Sequence, residues 1–317
     1  MSGPPFYDAA AIARRLAPAA AVDALEAALR AGLDPEGDPP RSSLAGEAGE
    51  LLLMPSAAGG RLGVKLATVA PANAARGLPR IQGVYVLFDG DTLAPVALLD
   101  GIGLTNLRTS AVSALAVRHL AAPDARRLVV FGTGPQARAH VAALRAVAPI
   151  EHVTVVGRDE QRAAELAREL AAEAAGSGAA PLAAEAGRPG AVADADLVCC
   201  CTTAREPLFD GGEMAGHATV VAIGSHEPDA REVDERLVAR ASVVVETRES
   251  ALREAGDVIA AVAAGAIAPH DLLSLAPLVR GEVSVPPDRP RLFKSTGMAW
   301  EDLVVAAAVH ARGETAI

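Results

Sequence analysis

The chain has 317 residues, of which 51% are hydrophobic, 21% charged and 3% aromatic, and its formal net charge is −10. That length suits one large or two medium domains, and the apolar content excludes a disordered chain. The negative balance argues against a nucleic-acid partner, which selects for a basic face. No apolar stretch reaches the roughly 18 residues needed to span a bilayer, so no membrane role is expected.

Along the chain, Asp8 to Ala31 reads as helical. Ile12 and Leu16, then Val22, Leu25 and Leu29, recur near helical spacing, and Pro18 between the two sets predicts a break. Pro39 and Pro40 interrupt the chain before Arg41. Leu51 to Met54, Leu62 to Val69 and Val84 to Asp89 are short apolar runs bounded by Gly and Pro, hence strands. Thr92 to Leu99 reads as the returning arm of a hairpin turned at Asp89, Gly90 and Asp91. Ser110 to Leu120 has helical spacing and stops near Pro123. This first part is a small α+β unit.

From Arg127 the pattern becomes strand–helix alternation. Strands are predicted at Leu128 to Phe131, Val153 to Val156, Leu197 to Cys201, Thr219 to Ile223 and Val243 to Glu246. Helices are predicted at Gln136 to Ala146 and Glu160 to Ala175. That order indicates a parallel sheet wrapped by crossover helices. Gly176 to Gly190 reads as a surface connection. The sheet is expected to be complete before Pro286, Pro287 and Pro290, with a last helix at Met298 to His310 returning to the first unit. Cys199, Cys200 and Cys201 are consecutive and cannot build a disulfide framework. With Met1 to Tyr7 lacking signal-peptide character, a reducing, cytoplasmic location is expected. No metal site is expected either, because no clustered His or Cys stands at ligand spacing from the cysteines.

The strand Leu128 to Phe131 runs into Gly132, Thr133, Gly134, Pro135, Gln136 and Ala137, a G-x-G-x-x-A that opens a helix. In this setting Gly132 permits the tight turn and Gly134 lets the backbone approach a pyrophosphate. Ala137 allows close packing of helix on strand, and the helix N-terminus offers unpaired amides. The bland alternative is a tight turn without a ligand. An NAD site usually ends the next strand in an acid for the ribose 2′-hydroxyl. Here that position is Gly157, followed by Arg158, which predicts NADP(H) ahead of NAD(H). The alternative is that Arg158 caps a helix or lies in solvent while Asp159 reaches the ribose. Thr202 and Thr203 follow a strand at its C-terminal end, where such sheets bind ligands, although hydroxyls there often only cap turns.

Three cations stand near otherwise apolar segments. Lys65 lies within the strand Leu62 to Val69, Arg108 is read at the start of a helix, where a cation opposes the dipole, and Arg41 follows the proline break. An acidic protein that places cations there has the makings of an anion site, since arginine pairs with carboxylates in a bidentate way. Each could instead be a surface charge or a salt-bridge partner.

Together, several segments resemble the ornithine cyclodeaminase/μ-crystallin family over Arg41 to Asp302. They are Met54-Pro55, Gly63-Val64-Lys65, Gly77-Leu78-Pro79, Leu99-Asp100-Gly101, Thr105 to Ala111, Gly132 to Ala137, Ala193 to Asp196, Arg231 to Asp234 and Phe293 to Gly297. The resemblance implies an α/β protein in which a Rossmann-type doubly wound parallel sheet, 123–290, is inserted into a second α+β domain. That second domain, 1–122 plus 291–317, would bind substrate and dimerise. A homodimer holding NAD(H) or NADP(H) is implied, with Arg41 and Arg108 on the substrate α-carboxylate and Lys65 handling protons beside the reacting carbon. Further cofactor contacts are expected at Thr109, Cys201, Thr202, Thr203, Gly224, Ser225 and Lys294. One departure is informative. Where ornithine cyclodeaminases carry an aspartate that assists the side-chain amine, this chain has His226, within Gly224-Ser225-His226-Glu227-Pro228. His226 either contacts substrate or nicotinamide ribose or is a loop residue bonded locally. Asp302, near the last helix start, reads as a dipole partner.

The expectation is therefore an NADPH-dependent reductase of cyclic ketimines, such as pyrroline-2-carboxylate. An ornithine cyclodeaminase with recycled NAD+, an amino-acid dehydrogenase, and a non-catalytic NADP(H)-dependent binding protein are the alternatives.

Overall fold

The computed structural model describes residues 3–176, 178 and 180–314. Parts of the ranges above, namely Met1, Ser2, Ser177, Ala179 and 315–317, lie outside the described residues. The chain forms two units: one runs to Val112 and resumes at Met298, and the other is Ser113–Gly297.

The first unit starts with β1 (Phe6–Tyr7), α1 (Ala9–Arg15) and α2 (Pro18–Arg30). Asp8 caps α1 by accepting from the Ala11 amide at 2.6 Å, and Pro18 takes the first position of α2, where a missing N–H costs nothing. The predicted break at Pro18 is therefore the boundary between two helices. Then come β2 (Ser42–Gly46), β3 (Gly49–Ala58), β4 (Arg61–Val69), β5 (Ile81–Asp89) and β6 (Pro95–Asp100), a meander in the order β1-β6-β5-β4-β3-β2. Only β1 runs parallel to its neighbour. Along β4, Gly63, Lys65, Ala67 and Val69 are buried while the residues between them are not, so the lysine lies on the covered face.

α3 (Gly101–Leu120) follows β6 at once and starts nine residues before the predicted helix. Asp100 Oδ1 accepts from the Gly103 amide at 2.6 Å and nucleates the first turn. The stretch Gly-Ile-Gly-Leu-Thr-Asn has little helical patterning of its own, which is why the sequence hides it. Arg108 consequently lies well inside a helix rather than at its start, and the dipole argument made for it from sequence does not apply.

The second unit contains β7 (Arg127–Phe131), α4 (Pro135–Arg145), β8 (His152–Val156), α5 (Glu160–Gly176), β9 (Ala183–Ala186), β10 (Leu197–Cys200) and β11 (Thr219–Ala222). It continues through α6 (Glu235–Arg240), β12 (Ser242–Val245), α7 (Arg248–Glu254), α8 (Gly256–Ala263), β13 (Leu273–Ser274), α9 (Leu275–Arg280) and β14 (Arg291–Lys294). All eight strands are parallel, in the order β13-β12-β14-β11-β10-β7-β8-β9. The winding reverses between β7 and β10, the switch point at which doubly wound sheets bind ligands. α6, α7 and α8 cover one face through Leu237, Val238, Ala251 and Val258, which meet Val129, Phe131, Val198, Cys200 and Val220. α4 packs on β7 and β10.

Two expectations fail here. The sheet is not complete before the prolines, because β14 inserts between β11 and β12, so 291–297 belong to this unit and the division falls at 297/298 and, inside α3, at 112/113. A four-residue strand behind a proline cluster carries too little pattern to be seen. The Gly176 to Gly190 connection also contains β9, an alanine-rich edge strand without β-branched residues. Finally α10 (Ala299–Glu314) returns to the first unit, where it packs on α2, β3, β4 and β5. Burial of its Trp300, Leu303 and Val309 contributes roughly 2 kcal/mol each.

Candidate active site

In the first unit the strand register places Met54, Lys65, Tyr85 and Leu99 on one rung of the sheet. Arg41 directly precedes Ser42, the partner of Leu53, so it stands beside that rung, roughly 10 Å from Lys65 at two strand spacings. Lys65 is 2% exposed, and its Nζ lies 2.8 Å from Asp302 Oδ2 and 3.5 Å from Thr105 Oγ1. Arg108, also buried, donates to Glu301 Oε2 at 2.6 Å and has Nε 3.3 Å from Asp302 Oδ1. Glu301 and Asp302 occupy the first turn of α10, which brings both carboxylates to the cations. Asp38 anchors that turn, accepting from the Trp300 amide at 2.7 Å and from Ser56 Oγ at 2.6 Å.

These contacts set the protonation states. Burial, and then the Arg108 guanidinium, lower the Lys65 ammonium to about 8, against the opposing pull of Asp302 and Glu301. Burial also pushes up the Asp38 carboxyl and, with Asp302 and Asp38, the Tyr85 phenol. The Tyr85 hydroxyl is buried without a hydrogen-bond partner and stands 2.0 Å from where a Cβ on Gly63 would be, so only glycine leaves room for it. Gly63 also lines a groove of about 1040 Å³ together with Asp38, Ser56 and Trp300.

In the second unit the glycine turn forms as expected. Gly132 has φ +114°, and a Cβ there would sit 2.5 Å from the Cys201 carbonyl oxygen. Gly134 is extended and has nothing within 4 Å of where its Cβ would be, so packing does not demand glycine at that position. An open approach to the backbone at the start of α4, where amides lack helical partners, fits a dinucleotide pyrophosphate. Pro135 is the first helical residue, Gln136 accepts from His140 Nδ1 through its carbonyl, and Ala137 is fully buried. A Cβ on Gly157 would meet Thr133 Cγ2 at 2.8 Å, so the missing carboxylate also reflects packing. Arg158 is exposed, while Asp159 Oδ1 accepts from the Arg162 amide at 3.1 Å and is committed to the start of α5.

The strand ends beyond β10 and β11 are tied together by Glu232. It accepts from the Thr202 amide at 2.8 Å, the Thr202 hydroxyl at 2.7 Å and the Gly224 amide at 2.7 Å. Ser225 donates to the Ala230 carbonyl; Thr203 is exposed, and His226 is half-buried in the following loop. Thr109 is buried in α3. Lys294 corrects its expected role as a cofactor contact. Its fully buried ammonium is spent on Asp257 at 3.0 Å and on the Ser225 carbonyl at 2.6 Å, so it shapes the loop from within.

Sequence reasoning missed Asp302 as a lysine partner, and it missed Glu301, Asp38, Tyr85, Glu232 and Asp257. The lone acid in Gly-Asp-Val-Ile-Ala-Ala-Val-Ala and the adjacent Trp300-Glu301-Asp302 were the available signals. The expectation that no histidine would join the cysteines also fails. α4 brings His140 to Cys199 and Cys201, with ligand atoms within 4.8 Å of one another.

The ornithine cyclodeaminase/mu-crystallin family model matches residues 6–316. A Delta(1)-pyrroline-2-carboxylate reductase of Bacillus cereus is 36% identical over 280 residues, covering 86% of this chain and 85% of that protein. The Paracoccus denitrificans reductase of the same name is 38% identical over 251 residues, covering 78% of each. The structure of the Thermococcus litoralis Delta(1)-pyrroline-2-carboxylate reductase in complex with NADH and L-proline superposes with a TM-score of 0.90 at 28% identity, covering 98% of this chain and 97% of that one.

Proposed function

The chain belongs to the ornithine cyclodeaminase/mu-crystallin family, and from that premise we propose that it is an NAD(P)H-dependent reductase of cyclic ketimines such as Δ1-pyrroline-2-carboxylate. The product is the cyclic amino acid. The observation that carries this reading is Lys65, a buried ammonium lowered to about 8 and held at 2.8 Å by Asp302. Reducing a C=N group requires a proton on nitrogen as electrons arrive at carbon, and a lysine of that acidity is a charged donor at neutral pH that releases its proton readily. Arg108, with Arg41 beside the Lys65 rung, supplies the guanidinium groups that pair with the substrate carboxylate and fix the ring. Glu301 and Asp302 hold Arg108 in place before substrate arrives. A reduced nicotinamide, when bound, supplies the hydride to the imine carbon.

Gly132, Gly134 and the first turn of α4 are the residues that hold the dinucleotide, and Glu232 sets the Thr202 and Gly224 main chain nearby in the same unit. The nucleotide is read as NADP(H) ahead of NAD(H). The absent carboxylate at Gly157, the exposed Arg158 and the commitment of Asp159 to its own helix support that order. Three unbridged cysteines support a reducing, cytoplasmic setting.

The test is purified protein with NADPH or NADH and a panel of cyclic imino acids, and separately with ornithine and NAD+. Nucleotide oxidation only with the imino acids is expected. Proline and ammonia from ornithine without net nucleotide turnover would overturn the reading in favour of a cyclodeaminase. Tight nucleotide binding without any turnover would point to a binding protein.

A further inference from the structure

Beneath the glycine turn of the second unit, one largely buried cluster of side chains takes no role in the proton and hydride steps above. Cys199 and Cys201 are two residues apart on one strand and its extension, so their side chains share a face, and their sulfurs are 3.4 Å apart. Cys200 points to the opposite face, into the core under α6 to α8. His140, on the second turn of α4, closes the group from above and is fully buried. We propose that His140, Cys199 and Cys201 form a binding site for a thiophilic divalent cation of the zinc class.

Four features point to that ligand. Two sulfurs on one tetrahedral zinc, each at about 2.3 Å, stand about 3.8 Å apart, so the existing pair needs to open by only a few tenths of an ångström. His140 Nδ1 meets the Gln136 carbonyl at 2.8 Å, the outer bond that fixes a metal-ligating imidazole in the tautomer with its Nε2 lone pair available. That lone pair is now met by Ser113 Oγ at 2.9 Å, and a helical serine can turn its hydroxyl back to a carbonyl of the preceding turn instead. The donor set of two sulfurs and an imidazole, without a carboxylate, selects soft ions over magnesium or calcium.

Charge gives the divalent preference. Binding releases one proton from each thiol, and two thiolates neutralise a dication, so the filled site adds no net charge to a largely buried pocket. The ligands also explain what occupancy would do. The Cys201 carbonyl packs against Gly132, and His140 belongs to the helix that the glycine turn opens. A bound ion thus ties both flanks of the dinucleotide turn together, coupling metal occupancy to nucleotide affinity. This site stands independently of the proposed reaction.

The test is titration of the purified chain with cadmium as probe, followed by competition with zinc. Expected are a sulfur-to-metal charge-transfer band saturating at one ion per chain, release of two protons per ion, and a raised Tm. Cys199→Ala and Cys201→Ala should each lose the band, whereas Cys200→Ala keeps it. His140→Gln, which leaves both sulfurs, should weaken binding tenfold or more. The proposal is overturned by absence of the band, by an equal band in the Cys199→Ala/Cys201→Ala double variant, by its loss in Cys200→Ala, or by unchanged affinity in His140→Gln.

Discussion

Replacing Asp302 by asparagine preserves shape and removes one negative charge 2.8 Å from the Lys65 ammonium. An opposite charge at such range moves a pKa by roughly 1–3 units, so its loss should take Lys65 from about 8 to roughly 6. Because the folded value then lies further below the unfolded one of 10.5, the protonated lysine opposes folding more strongly; this cost is full below about pH 6, shrinks as pH rises towards 10.5 and is gone above it. Removing one member of a buried ionic cluster should cost about 3–5 kcal/mol, read as a lower Tm near neutrality. For catalysis the protonated donor falls from about 0.9 of molecules to about 0.1 at pH 7, by the two pKa values above, so kcat/KM for imine reduction should drop about tenfold there. It should approach wild type near pH 5. The assay is the pH profile of kcat/KM with Δ1-pyrroline-2-carboxylate, alongside a nucleotide titration as control. An alkaline limb that stays near 8, or an equal loss at every pH, refutes the assignment of Lys65 as a donor tuned by Asp302.

Lys65→Ala should abolish turnover while nucleotide affinity, measured by fluorescence titration, stays nearly unchanged; wild-type-like rates would remove the proton-donor role. Arg158→Ala should raise KM for NADPH about tenfold or more and leave that for NADH unaltered, the signature of a lost charge-assisted pair with a 2′-phosphate. Gly132→Ala forces a side chain into φ +114° and against the Cys201 carbonyl, so thermal denaturation should show about 2–4 kcal/mol of destabilisation with loss of nucleotide binding. His140 has a folded pKa of about 4 against 6.5 unfolded, so the unfolded chain takes up its proton first as pH falls. Its stabilising contribution is complete above 6.5 and is lost between 6.5 and 4, about 3 kcal/mol in all. Tm measured from pH 7 to 4 should fall more steeply in wild type than in His140→Gln.

What sequence determined was local. Proline at a helix start, glycine where φ must be positive, short β-branched runs and a G-x-G-x-x-A after a strand are each read from neighbours along the chain, and all reappear in the fold. Lys65 and Arg108 were legible as cations out of place in apolar segments. Their partners were not, because Glu301 and Asp302 are nearly 200 residues away from Arg108 and look like ordinary first-turn acids until α10 returns to the first unit. The same holds for β14, invisible in four residues but central once β11 and β12 pair with it, and for His140, which joins the cysteines only through the crossover of α4. Backbone conformation is dictated by adjacent residues, whereas burial and charge pairing depend on what the folded chain brings from afar. Tertiary structure therefore decided the acidity of Lys65, the internal use of Lys294 and the gathering of two sulfurs with an imidazole.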